Sequence, residues 1–186
     1  VVFAAISRVL VLALGLGATA LTVRIISVEQ FGVYSFVLTI GTFLQLAADF
    51  GLYLTASREL GAHLRQPAMV MRHIVSLRAV LLLVLFTIGL GVFLAAPSMR
   101  PLTVLFFLIS LGLIAQSGSQ LLMGVFQAYG TIWKATVGDV IGRAFQVGVL
   151  VYVRSVSGIA MAFSIGLIVA FFIHGILAPH RAALMP

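Results

Sequence analysis

Two of the four acidic residues in this sequence, Asp49 and Asp139, stand inside long apolar runs. An acid in such surroundings invites three kinds of chemistry: metal ligation, proton transfer or pairing with a cation. Asp49 opens a D-F-G, the metal-binding signature of protein kinases. That reading requires a Gly-rich phosphate loop, a strand lysine and an H-R-D loop, and the sequence has none of them. Cysteine is absent, and the acids and histidines show no D-x-D or H-E-x-x-H spacing, so no metal site is expected. No G-x-S-x-G or Ser/His/Asp set supports nucleophilic catalysis, so neither enzymatic activity nor a cofactor is expected. What remains is charge pairing or a polar path. Asp139 and Arg143 are one helical turn apart and are expected to pair on their own helix. Asp49 cannot reach Arg58 along a helix, because nine residues span about 13 Å. It is therefore expected to face an arginine of a neighbouring helix or water. His174 reads as an interfacial or packing residue, with a proton relay as the alternative.

The elements that must position these groups follow from composition. The chain has 186 residues, 62% hydrophobic and 8% charged, and its mean hydropathy is +1.25. A soluble domain carries roughly a quarter charged residues, so lipid is the expected solvent. Net charge is +7 and Lys134 is the single lysine. These basic residues alternate with apolar runs and do not cluster with aromatics, a pattern of membrane topology and lipid-headgroup contact that excludes nucleic acid. A bilayer core of about 30 Å takes about 20 residues of helix. Six such runs can be counted, at about 4–26, 31–56, 74–96, 102–127, 135–154 and 157–178. The expected fold is an all-α, polytopic six-transmembrane-helix bundle occupying residues 1–186 as one unit. Ser27 and Gln30 have capping-box spacing at the start of the second span, and Pro67 is placed to open a short amphipathic or interfacial turn. Trp133 and Lys134 form an interfacial pair. With Arg8, Arg58, Arg65, Arg72, Arg78, Lys134, Arg143 and Arg181 counted to one side, and Arg24, Arg100 and Arg154 to the other, both termini are expected in the cytoplasm. The stretch after Arg8 could be read as a signal peptide. Five further spans follow, and the sequence begins at Val1, so it is read as a first transmembrane helix in a piece of a longer chain.

Polar residues fall in stripes. Ser35, Thr39, Thr42, Gln45, Asp49 and Tyr53 lie within about 120° of arc at 100° per residue. Thr103, Ser110, Ser117, Gln120, Gly124 and Gln127 share a side of the fourth span. Arg8, Gly15, Thr19 and Thr22 do so in the first, and Asp139, Arg143 and Gln146 in the fifth. For the hydroxyl residues alone, and for the G-x-x-x-G of Gly138 and Gly142, helix packing is the plainer reading. With charges included, the stripes describe a cavity whose polar lining includes Thr42, Gln45, Asp49, Tyr53, Ser117 and Gln120.

The residues from Ile6 to Leu60 resemble the start of bacterial polysaccharide-biosynthesis flippases. These are the Wzx-type O-antigen and exopolysaccharide exporters within the multidrug/oligosaccharidyl-lipid/polysaccharide exporter superfamily. The matching pieces are the early Ser7-Arg8, Arg24 late in the first helix, "EQFGVY", "DFGL" and "TASREL". "GVFQAYGTIWKATVGDVIGRAFQVGVLVYV" is similar to the family's fourth-to-fifth helix region. Val28 departs from the pattern, which often has proline there. The resemblance implies a two-lobe exporter of which this chain is the first lobe, in the bacterial cytoplasmic (inner) membrane. Its implied substrate is a polyprenyl-pyrophosphate-linked oligosaccharide, flipped by alternating access, with membrane lipids and other polysaccharide-assembly proteins as partners. Arg8 and Arg24 are then candidates for headgroup or gate contacts, and Arg143 joins them. The rival readings are a peptidoglycan-precursor flippase, a cation-coupled drug exporter, and a non-transporting membrane scaffold of a polysaccharide assembly complex.

Overall fold

The computed structural model describes residues 2–52, 54, 55, 58 and 67–178; within these, side chains are described for 9–52, 54, 55, 58 and 72–178. The described residues are helical, without a strand: α1 (Val2–Ile25), α2 (Val28–Asp49), α3 (Pro67–Ala95), a 3₁₀ turn (Arg100–Leu102), α4 (Thr103–Ala128), α5 (Ile132–Leu150) and α6 (Val156–Leu177). Among the described residues, four stretches are long and apolar enough to cross a membrane: Val28–Asp49, Arg72–Ala95, Arg100–Ala128 and Val156–Leu177. In α1 the described apolar stretch is shorter, Val9–Ile25. α5 is interrupted by Lys134, Asp139 and Arg143.

Local chemistry sets the helix ends. α2 starts where the capping box places it. The Ser27 N–H donates to Gln30 Oε1 and the Gln30 N–H donates back to Ser27 Oγ, each at 3.2 Å. Two boundaries differ from the sequence reading by about seven residues. The second span was expected to run to residue 56, but α2 ends at Asp49. Phe50 (φ 37°) and Gly51 (φ 80°) turn left-handed there, and the Phe50 N–H closes on the Leu46 carbonyl. Glycine adopts this conformation freely, whereas at Phe50 it costs roughly 1–2 kcal/mol. The third helix begins at Pro67, not near residue 74, so the separate amphipathic or interfacial turn expected at Pro67 is absent. Proline has no N–H to lose in the first turn and simply starts α3.

α6 packs along α4 and α5, α1 leans on α5, and α2 sits between α3 and α4. α1 and α2 barely touch, which leaves the bundle cleft between them. Small residues permit the close approaches. A Cβ on Gly112 would lie 2.8 Å from Ser164 Cα, and one on Gly142 would lie 2.5 Å from the Gly166 carbonyl oxygen. The G-x-x-x-G is thus a packing face, with Gly142 against α6 and Gly138 against the His174 ring. Val37, Phe93, Phe106, Ile109, Leu113 and Ile159 form the centre, and the Phe93 and Phe106 rings stack at 4.5 Å. Outside, Leu12, Leu16, Phe43, Leu83, Ile88 and Ile176 are exposed. An apolar exterior of this extent suits lipid better than water.

Candidate functional site

Along α3 the buried positions Ile74, Arg78, Leu82 and Phe86 recur every four residues, so one helical stripe carries an arginine into the core. Arg78 is 1% exposed, and each nitrogen of its guanidinium meets a different side chain. Nε donates to Ser117 Oγ at 2.6 Å, Nη2 donates to Gln120 Oε1 at 2.6 Å, and Nη1 lies 2.8 Å from Asp49 Oδ1. The Nη1 contact is an ion pair without hydrogen-bond alignment. Ser117 and Gln120 are one turn apart on α4, so a single side chain ties α2, α3 and α4 together. Asp49 is the last residue of α2, where the negative end of the helix dipole disfavours a carboxylate. Arg78 offsets that repulsion.

Of the two alternatives expected for Asp49, the arginine is found; on its other side the side chain, 25% exposed, borders a cavity. Arg78 itself was counted by flank, at or near the cytoplasmic side, and that count did not foresee its burial in the core. A count of arginines by flank ignores helical phase. The spacing of Ile74, Arg78, Leu82 and Phe86 is the signal that would have found it.

A second cluster joins α5 and α6. His174 is 1% exposed, and its Nε2 lies 2.7 Å from the Ala135 carbonyl oxygen and 3.7 Å from Asp139 Oδ1. A carbonyl only accepts, so Nε2 carries a proton. Nδ1 is buried without a partner. The packing reading of His174 holds. The expected Asp139–Arg143 pair is not formed. Arg143 Nη1 donates to Gln146 Oε1 at 2.8 Å, and the Asp139 carboxylate lies 3.7 Å from the His174 imidazole instead. The i, i+4 rule considers one helix in isolation, whereas Gly138 opens space on α5 that brings the α6 imidazole close.

Between these clusters lie four adjoining recesses, of about 360, 210, 320 and 270 Å³. They share walls: Gln116 borders three of them, Asp49 and Gln120 two, and Arg143 and Gln146 two. Together they form a polar cleft bounded by α1, α2, α4, α5 and α6. No family model, curated protein or solved structure matches this chain.

Of the residues singled out from the sequence, Thr42, Gln45, Asp49 and Gln120 border the recess between α2 and α4. Ser117 lies beneath it, holding Arg78. Thr42 and Thr39 return their hydroxyls to their own helix, at Leu38 and Ser35. Arg143 reaches the cleft from α5, while Arg24 is exposed near the end of α1 and borders none of these recesses. The Tyr53 and Arg8 side chains lie outside the described residues. Gln116 and Tyr34, which line the cleft, were not singled out; Gln116 falls just off the arc shared by Ser117 and Gln120. Among the described residues, no group of three or more His, Cys, Asp or Glu side chains could hold a metal ion.

Proposed function

We propose that this chain is a six-span transmembrane lobe of a transporter in the bacterial cytoplasmic membrane. The transporter flips a polyprenyl-pyrophosphate-linked oligosaccharide toward the outer leaflet for surface polysaccharide biosynthesis. The observation that carries this reading is the polar cleft with a cation in its wall, enclosed by helices whose outer faces are apolar. A glycan and a diphosphate require hydrogen-bonding groups and positive charge on their way across, while the polyprenyl tail stays in lipid. Arg143, Gln146 and Gln116 supply such groups. The membrane-spanning role assigned to α5 is consistent with where its charges go. Asp139 and Arg143 turn into the cleft, and Lys134 lies at the helix start over the Trp133 ring, 5.8 Å from its centre.

A cation-coupled drug exporter would require an acid free to take a cation. Asp49 is engaged by Arg78, which leaves that reading Asp139 alone, on a wall it shares with the Arg143 cation. The test is a proteoliposome assay with the full-length protein and a fluorescent polyprenyl-pyrophosphate oligosaccharide. Protein-dependent loss of outer-leaflet label, reduced at least tenfold in Arg143→Gln, is expected. Equal scrambling with and without protein would overturn the proposal.

A further inference from the structure

The cleft divides into two chemically different parts. Near α1 and α5 the wall carries Arg143, whose described hydrogen bond goes to the neutral Gln146. Between α2 and α4 the wall carries Gln45, Asp49, Gln116 and Gln120, with Phe163 as its apolar side. Here the one carboxylate is already matched by Arg78, so the local formal charge is zero while the acceptor oxygens remain. A neutral site of one carboxylate and three amides suits vicinal hydroxyls, each of which donates and accepts at once. It suits a phosphate poorly, because a carboxylate facing the cavity repels it.

An independent observation points to a ligand. Gln45 is buried, and its Nε2 has no hydrogen-bond partner. The recess that Gln45 borders is thus walled by an amide whose donor no protein group uses. We infer that the recess formed by Gln45, Asp49, Gln116, Gln120 and Phe163 is a subsite for sugar hydroxyls, separate from the anion-binding part of the cleft at Arg143. This rests on the transport reading above for the identity of the glycolipid. Arg78 is then a positioning residue: it fixes the Asp49 carboxylate and the Gln120 amide without facing the sugar.

The experiment measures binding of three probes to the full-length protein in nanodiscs: undecaprenyl pyrophosphate, the same lipid bearing a tetrasaccharide, and soluble chitotetraose. Gln45→Leu replaces the amide with an apolar side chain of similar volume. Gln116→Leu, at a half-buried position, is the second variant should the first fail to fold. The expected result is a fivefold to tenfold loss of affinity for the glycosylated lipid and none for the bare lipid, with Arg143→Gln weakening both lipids alike. If Gln45→Leu and Gln116→Leu bind both lipids as wild type does, or weaken both equally, the subsite is overturned while the transport reading stands. If neither lipid binds but chitotetraose does, in a manner lost in the leucine variants, the transport reading falls and the subsite stands. Binding of none of the probes overturns both.

Discussion

Arg78 and Arg143 both sit well inside helices of the same bundle, yet their surroundings are opposite. Arg78 is closed on every side, with a carboxylate, a hydroxyl and an amide on its three nitrogens. Arg143 borders two recesses and makes its described hydrogen bond to an amide one turn away. A buried arginine matched in this way holds helices together. One left facing a polar cleft has charge available for a ligand. The difference is one of partners and not of depth, and it separates a structural cation from a candidate binding group.

Substitutions can break this contrast, and the largest effect belongs to the closed side. Arg78→Met leaves Asp49 without its cation and should cost about 3–5 kcal/mol, read as a large fall in the thermal unfolding midpoint in detergent. The double variant Arg78→Met with Asp49→Leu should recover most of that loss, because an apolar pair replaces an ion pair at little net cost. A double variant as unstable as the single one would mean that Arg78 acts by packing and not by charge. Next is Gly138→Ala, whose new methyl would meet His174 Cδ2 at 2.5 Å. Overpacking of about 1–3 kcal/mol is expected, and it should shrink when His174 is also replaced by alanine; purely additive losses would argue against the contact. Ser117→Ala removes one of the three Arg78 contacts and should cost about 1.5–3 kcal/mol by the same unfolding measurement, as expected for a hydrogen bond to a charged group. Smallest in stability is Arg143→Gln, within about 0.5 kcal/mol of wild type, although it should weaken glycolipid binding most. A large destabilisation at Arg143 would erase the contrast with Arg78.

How much of this was legible in the sequence depended on whether one helix sufficed to decide it. Ser27 and Gln30 announced the start of α2 because a capping box is complete within four residues. The inward direction of Asp49 was legible because an isolated carboxylate in an apolar run has no tolerable alternative. Its partner was not, since Arg78 lies 29 residues away across the second connection and was counted only by flank. The same limit hid His174 from Asp139, whose neighbour at i+4 was the nearer guess. The end of α2 was hidden for a different reason: Phe50 is a poor left-handed residue, and only Gly51 beside it hinted at a turn. The stripes match the polar α2 wall of the cleft, at Ser35, Thr42, Gln45 and Asp49, but on α4 they meet it only at Gln120 and miss Gln116 and Ser119. They could not foretell which hydroxyls would bond back to their own helix, as Thr39 and Thr42 do.

The account stands or falls on whether the cleft admits water while the outer faces meet lipid. The sequence contains no cysteine, so single cysteines can be introduced at Gln116 in the cleft and at Leu83 on the exposed apolar face of α3. Each is then challenged with a membrane-impermeant thiol reagent in native membranes. A thiol must ionise in water to react, so the account predicts labelling of Gln116→Cys, protection of it by added glycolipid, and an inert Leu83→Cys. Labelling at Leu83 with none at Gln116 would contradict it.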